Sequence, residues 1–206
     1  GKPTPKCVVV SGPLMKATAL DGGYPECRLL VAENLRFEPD LDPNEEAVTD
    51  VLVLGEYDVG HDKDVIEIAQ NFADSLEPAA QVVYRPHPTA EIDPRSLPSK
   101  WSLSRHSSVR AAVATSRIAI CGPTTTAALD ARLSGKRVVV IGLADTLISS
   151  PAIGLPNVYL ATTKAEATSL ALDILSEPVA DFESEPVCTE PQFPRWQRLL
   201  SKSAAG

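Results

Sequence analysis

The 206-residue chain is acidic, with a net charge of −8, and its 44% apolar and 22% charged residues are those of an ordinary globular protein. This length allows one sizeable domain, or one domain with an added arm. The negative charge argues against nonspecific binding to nucleic acids or anionic membranes, which requires a basic face. No apolar run approaches the ~20 residues that span a bilayer.

Four scattered cysteines without close pairing, and only three histidines, predict neither a disulfide framework nor a metal site. Cysteines that need no partner are typical of a reducing compartment, so we expect a cytoplasmic protein. Contact with the inner face of the membrane through other domains stays open. No cofactor is expected.

Apolar periodicity in the first half of the chain predicts strands that alternate with helices. Strands are expected at 7–10, 28–32, 51–54 and 81–84, and helices at 14–21 and 62–76. Asp62 is the expected N-cap of the second helix, and Pro78 follows its end.

The second half continues the alternation, with strands at 101–103, 118–121, 138–141 and 158–160 and helices ending near 115, 133 and 175. This order predicts an α/β, doubly wound, mainly parallel Rossmann-like sheet. Continuous runs such as 138–141 predict strands that are covered on both faces. We expect a flexible lead at 1–5, the Rossmann-like domain at 6–176, and a C-terminal strap and helix at 177–206.

Two predicted strands run directly into polar turns. Arg85-Pro-His87-Pro follows one strand, and Gly122-Pro-Thr124-Thr125-Thr126 follows another and begins a helix. The carboxyl ends of parallel strands form the ligand-binding edge of such a sheet. An arginine, an imidazole, hydroxyls and first-turn N–H groups all suit a phosphate. The alternatives are a proline-stiffened surface loop and an ordinary helix cap.

Carboxylates follow other strands at the same predicted edge. Glu56 and Asp58 are candidates for a catalytic base, and Glu33 and Arg36 for contacts to a ribose or donor, while Gly12 follows the first strand. Solvated loop carboxylates are the alternative interpretation. The GxGxxG, GxSxG, HExxH and P-loop patterns do not occur in the sequence, so a dinucleotide fingerprint is unsupported.

These pieces resemble the C-terminal nucleotide-binding domain of GT-B glycosyltransferases. The similarity is to bacterial surface carbohydrate biosynthesis proteins with a His-Pro motif (His87-Pro88) and a later Ser/Thr motif (124–126), including Kdo- and sialic-type transferases that use CMP-activated sugars. Three further elements occur in the order of that family: Glu33–Phe37, Leu54–Tyr57 and Pro194–Trp196. The resemblance spans about residues 8–200.

The resemblance implies that His87 and the Thr124–Thr126 hydroxyls hold the nucleotide phosphate of a CMP-sugar, supported by Arg85. Ser149 and Ser150 match a Ser-Pro element of the family. In such enzymes the glycan acceptor and the catalytic base belong to a preceding N-terminal domain, so the chain resembles the donor-binding part of a larger enzyme. A CDP-glycerol-type phosphotransferase, a UDP-sugar transferase or epimerase, and a non-catalytic nucleotide-sugar-binding module stay open as alternatives.

Overall fold

The computed structural model describes residues 5–35, 49–76, 80–90, 92–144, 146–174, 187–190 and 192–203. Within these ranges the strands are β1 (Val8–Val10), β2 (Leu29–Val31), β3 (Thr49–Leu54), β4 (Val82–Arg85), β5 (Ser102–Leu103), β6 (Ser116–Cys121), β7 (Arg137–Ile141) and β8 (Val158–Ala161). The helices are α1 (Pro13–Asp21), α2 (Val59–Ser75), α3 (Val109–Ala114), α4 (Ala127–Leu133), α5 (Lys164–Ile174) and α6 (Pro194–Ser203).

Contacts between residues divide the chain into two units. Unit 1 consists of residues 1–40 and 182–206, and unit 2 of residues 41–181. Unit 2 carries a six-stranded, wholly parallel sheet in the order β5-β4-β3-β6-β7-β8. The chain moves outward from β3 through β4 to β5, then returns to the other side of β3 and continues outward from β6 to β8. The point at which the direction reverses therefore lies between β3 and β6.

The two faces of this sheet are covered by different helices. Val51, Val53, Ile118 and Ile120 of the central strands are at most 1% exposed and pack in one core cluster with residues of α2 and α5. Since side chains alternate along a strand, residues such as Leu52 point to the opposite face, while α3 and α4 pack beside β6 and β7. The predicted doubly wound, mainly parallel sheet with strands buried on both faces is confirmed.

Unit 1 is built around a short parallel pair. Strands β1 and β2 pair with each other from Val8↔Leu29 to Val10↔Val31. The segment 187–190 is hydrogen-bonded to this pair of strands through Cys188. Cys188 donates its N–H to the carbonyl of Ser11, and its own carbonyl accepts the N–H of Asn34, each at 2.8 Å.

This division differs from the predicted boundaries at 6–176 and 177–206. Strands β1 and β2 form a two-stranded sheet of their own, to which Cys188 is hydrogen-bonded, rather than extending the six-stranded sheet. The physical reason is that apolar periodicity identifies a strand but carries no information about its pairing partner. Most of the predicted strap at 177–192 lies outside the described residues.

Two predicted helix starts need correction. Helix α2 begins at Val59, and its N-cap is Asp58 rather than Asp62. Helix α4 begins at Ala127 instead of residue 124. Helix α3 is capped by Ser108, whose Oγ accepts the N–H of Ala111. None of the helices in the described ranges is long and apolar enough to cross a membrane.

Candidate functional site

The reversal point of the six-stranded sheet brings together the turns that follow β3 and β6. Strand β3 ends at Leu54 and is followed by Gly55 and Glu56, while its neighbour β6 ends at Cys121 and is followed by Gly122. In open α/β sheets, ligands bind in the crevice outside the carboxyl ends of the strands at this reversal point. These two turns therefore define the candidate site.

Glu56 occupies the centre of this arrangement. The residue is 2% exposed, and its Oε2 accepts the hydroxyl of Thr124 at 2.9 Å. Its carboxylate lies against Gly122, since a Cβ at position 122 would be 2.6 Å from Cδ of Glu56. Oε1 is buried and has no hydrogen-bond partner among the described residues. Glu56 and Thr124 thus meet at the carboxyl edge of the sheet.

Asp62 and Tyr84 form a hydrogen-bonded chain that fixes the backbone of Glu56. The backbone N–H of Glu56 donates to Oδ1 of Asp62 at 3.1 Å, and the Tyr84 hydroxyl donates to Oδ2 of the same carboxylate. Burial first, and then the charge and hydrogen bond of Asp62, raise the pKa of Tyr84 well above its usual range. The sequence pattern predicts a helix cap at Asp62 and does not indicate this support. The signal for it is the helical spacing of Asp62 from the apolar residues that face the core.

Burial and the nearby Glu56 carboxylate also raise the pKa of the Cys121 thiol, which is fully buried at the end of β6. The thiol therefore stays protonated, and Cys121 acts as a small apolar core residue.

Asp58 caps helix α2. Its Oδ1 accepts the N–H groups of Gly60 at 2.9 Å and His61 at 3.0 Å. The pKa of Asp58 is lowered, mainly because its carboxylate accepts the N–H of His61. Desolvation opposes this shift, while the N–H of Gly60 and the charge of His61 add to it. Asp58, a candidate for a catalytic base, therefore uses its carboxylate to cap helix α2.

His87 lies on the other side of β3, in the turn after β4. Its Nδ1 lies 2.8 Å from Oγ1 of Thr89 and accepts the backbone N–H of Thr89 at 3.3 Å. Because Nδ1 is an acceptor, the proton of the neutral ring is placed on Nε2. The ring also meets Tyr57 edge-on, with centroids 6.4 Å apart. Glu56 and Tyr57 are consecutive, so the β3 turn contacts the Thr124 turn with one residue and the His87 turn with the next.

Arg85 is held by the neighbouring loop. Its Nη1 donates to the carbonyl of His106 at 2.6 Å and its Nη2 to that of Ser107 at 3.2 Å. These two nitrogens fix the loop that leads into α3. The predicted pairing of Arg85 with a phosphate would have to use the N–H groups that these two bonds leave.

The segment 149–150 lies beside the Thr124 turn. The backbone N–H groups of Ser149 and Ser150 both donate to the carbonyl of Pro123 at 3.0 Å. Ser150 is 6% exposed, and its Oγ has no hydrogen-bond partner within the described part of the chain. The Ser149–Ser150 segment thus lies against the threonine turn in the structure.

The three threonines do not play equal parts. Thr124 bonds to Glu56, whereas Thr125 uses Oγ1 to accept the N–H of Ala127 at 3.2 Å and so caps the start of α4. Thr126 is exposed and makes no side-chain cap bond to the helix. The threonine-helix turn supplies hydroxyls at the edge, but α4 is only seven residues long.

A cavity of about 420 Å³ opens at the same edge of the sheet, next to the ends of β7 and β8. His61 of the first turn of α2 bonds across it, with Nε2 3.2 Å from Oγ1 of Thr146. Its size lies within the usual range for small-molecule sites.

The three residues that were predicted to contact a ribose or donor belong to unit 1. Glu33 is fully buried, and its two oxygens accept the N–H groups of Arg195 and Trp196 at 3.0–3.2 Å. Burial alone would raise the pKa of Glu33, but these N–H groups and the charge of Arg195 outweigh it and hold the pKa below its usual value. Gly12 precedes α1 with a φ of 152°, which favours glycine. Arg36 lies outside the described residues.

The parallel six-stranded sheet, covered by helices on both faces, and the polar crevice at its carboxyl edge define this molecule as an α/β chain with a Rossmann-like fold. The sequence matches no protein-family profile and no curated protein at a significant level. Solved structures, however, share its fold.

A glycotransferase of kitacinnamycin aligns with a TM-score of 0.56 at 16% identity, covering 84% of this chain and 48% of the other. The GtfA/B complex aligns at 0.57 and 10% identity, covering 98% and 46%. A protein from Listeria monocytogenes assigned as a UDP-N-acetylglucosamine 2-epimerase aligns at 0.56 and 14% identity, covering 94% and 57%. At these identities the likeness establishes the fold. The chain spans about half the length of these structures.

Proposed function

We propose that this chain is the donor-binding domain of a bacterial glycosyltransferase of surface polysaccharide synthesis, and that its donor is a CMP-activated Kdo or nonulosonic sugar. The observation that carries the proposal is the meeting of Glu56, Thr124 and the Ser149–Ser150 segment at the reversal point of the sheet. The shared fold with glycosyltransferases supports the same class of ligand. The choice of cytidine rests on the sequence resemblance.

In this proposal His87 is the phosphate contact. Its Nδ1 is occupied by Thr89, so Nε2 carries the proton and can donate to an anionic oxygen. The hydroxyls of Thr125 and Thr126 are additional donors at the same edge. Stabilising the negative charge on a departing nucleotide is the contribution expected of such groups.

Titration calorimetry with CMP, CDP, UDP and GDP tests the proposal most directly. We expect CMP or CDP to bind more tightly than UDP or GDP, because cytosine and uracil present opposite hydrogen-bonding edges. If none of the four binds at millimolar concentration, the proposed function is wrong.

Two variants test the placement of the phosphate. His87→Ala and Thr125→Ala should each weaken CMP binding by about tenfold, the size of one charge-assisted hydrogen bond. Thr125→Ser is the matched control, since it keeps the hydroxyl that caps α4. Unchanged affinity in both alanine variants would remove the phosphate from these residues.

The acceptor glycan and the catalytic base belong, in this proposal, to an N-terminal domain. The carboxylate of Asp58 caps α2 and is therefore not free to act as a base for an acceptor hydroxyl. We therefore expect the chain alone to bind the donor without transferring it.

The alternatives differ in ligand. The alignment with an assigned UDP-N-acetylglucosamine 2-epimerase favours a UDP-sugar transferase or epimerase as the second candidate, which tighter binding of UDP than of CMP would establish. A CDP-glycerol-type phosphotransferase would prefer CDP to CMP. A non-catalytic module remains if a nucleotide binds but the intact protein transfers no sugar.

A further inference from the structure

The turn between β3 and α2 uses its N–H groups internally. Those of Gly60 and His61 donate to Asp58, and that of Glu56 donates to Asp62. The N–H of Gly55 donates to the carbonyl of Arg85 at 2.8 Å. Backbone N–H groups in this position are what a phosphate would need at the first turn of a helix. Here the protein's own carboxylates occupy these groups and bring negative charge.

Two buried polar atoms near this turn have no hydrogen-bond partner among the residues that the structure describes. One is Oε1 of Glu56 and the other is Oγ of Ser150. Both residues contact the same turn: Glu56 bonds to Thr124, and Ser150 bonds to Pro123. A buried polar atom without a partner is costly, so a water or a polar ligand group that reaches either atom would be stabilised there.

We propose that Glu56 determines ligand specificity at the reversal point: its carboxylate accepts an uncharged hydroxyl or amino group of the ligand and excludes a second phosphate. This inference rests on the proposed function and refines it. The single phosphate then belongs with His87 and Thr125, and a polar, uncharged part of the ligand belongs beside Glu56 and Thr124.

Glu56 would exclude a second phosphate because its carboxylate is negatively charged and is shielded from solvent. A carboxylate that is 2% exposed is poorly screened, so a second phosphate close to it would be repelled strongly. A hydroxyl or amino group instead supplies the hydrogen bond that Oε1 lacks. The Thr124 hydroxyl already donates to Oε2 and orients the carboxylate, which makes Thr124 a positioning residue.

The test measures the affinities of CMP and CDP, and of UMP and UDP, by calorimetry for the native chain and for Glu56→Gln. Glutamine keeps the shape and an oxygen that can accept from Thr124, but it removes the charge and adds N–H donors. We expect the native chain to bind each monophosphate about tenfold or more tightly than its diphosphate. In Glu56→Gln the ratio should fall to within about threefold of unity.

Asp74→Asn is the matched control. Asp74 is exposed at the other end of α2, away from the carboxyl edge, and the bond from Gln70 Nε2 to Oδ1 can be kept by the asparagine oxygen. It changes the net charge by the same amount, so the ratio should not move. Thermal unfolding verifies that Glu56→Gln is folded; if it is not, the ratio in the native chain alone decides.

A second arm identifies the group that Glu56 accepts. If the group belongs to the nucleoside, Glu56→Ala should weaken the binding of CMP itself. If the group belongs to the sugar, Glu56→Ala should weaken the binding of CMP-N-acetylneuraminate but not that of CMP. If Glu56→Ala binds both ligands as tightly as the native chain does, Glu56 is not a hydrogen-bond acceptor for the ligand.

The remaining outcomes are distinct. Equal or tighter binding of diphosphates by the native chain would overturn the inference while nucleotide binding stands. A preference for monophosphates that persists in Glu56→Gln would remove Glu56 as its cause. If none of these nucleotides binds, the proposed function itself fails.

Discussion

Two buried glutamates follow parallel strands in this molecule, and they differ in what satisfies them. Glu33 comes after β2 in unit 1, and its oxygens accept N–H groups of Arg195 and Trp196 and pair with the Arg195 guanidinium. Glu56 comes after β3 in unit 2, and one of its oxygens has no hydrogen-bond partner in the described ranges. Similar positions in sequence thus give a structural anchor in one unit and an incomplete polar site in the other.

The comparison predicts that Glu33→Ala has the largest effect on stability. It leaves the N–H groups of Arg195 and Trp196 without their carboxylate, which we expect to cost about 2–4 kcal/mol. Fluorescence of Trp196, measured during denaturant unfolding in a Trp101→Phe background, reports this loss. Glu190→Gln is the control, because Glu190 pairs with Arg195 at the surface and should contribute less than about 1 kcal/mol. Equal losses in the two variants would contradict the anchor role.

Acid should weaken the same anchor. The folded pKa of Glu33 lies below its unfolded value, so the carboxylate stabilises unit 1 above the ordinary carboxyl pKa of about 4.3. That stabilisation is lost as the pH falls through the folded pKa. The Trp196 transition should therefore move to lower denaturant on acidification in the native chain, and less so in Glu33→Gln. The same pH dependence in both proteins would assign the effect to other carboxylates.

Gly122→Ala tests how closely Glu56 fits its turn. The added Cβ would overlap the glutamate side chain, and relieving this overpacking should cost about 1–3 kcal/mol. For a chain of this length that corresponds to a decrease in melting temperature of about 2–4 °C per kcal/mol. The double variant Gly122→Ala/Glu56→Ala removes the overlap and should recover part of the loss. Additive losses would show that Glu56 does not require the glycine.

The sequence predicted most of the sheet because its strands are short apolar runs bounded by turns. It also predicted that Glu56, His87 and the threonine turn share one edge, since parallel strands place their carboxyl ends together. It could not distinguish Glu33 from Glu56, because the partners of Glu33 are 162 and 163 residues away in sequence. Nor could it predict that Arg85 binds the carbonyls of His106 and Ser107, which depends on how a short irregular loop folds.

The smallest effect is expected at Asp58, where the turn after β3 is closed by a helix cap. Asp58→Ala removes the acceptor of the Gly60 and His61 N–H groups and should lower the melting temperature by about 2–4 °C. Asp58→Asn keeps an oxygen in the same place and should lower it less. The alanine variant also frees two N–H groups at a helix N-terminus, so diphosphates should gain affinity relative to monophosphates. If the cap is lost and the nucleotide preference is unchanged, the exclusion of a second phosphate depends on Glu56 alone.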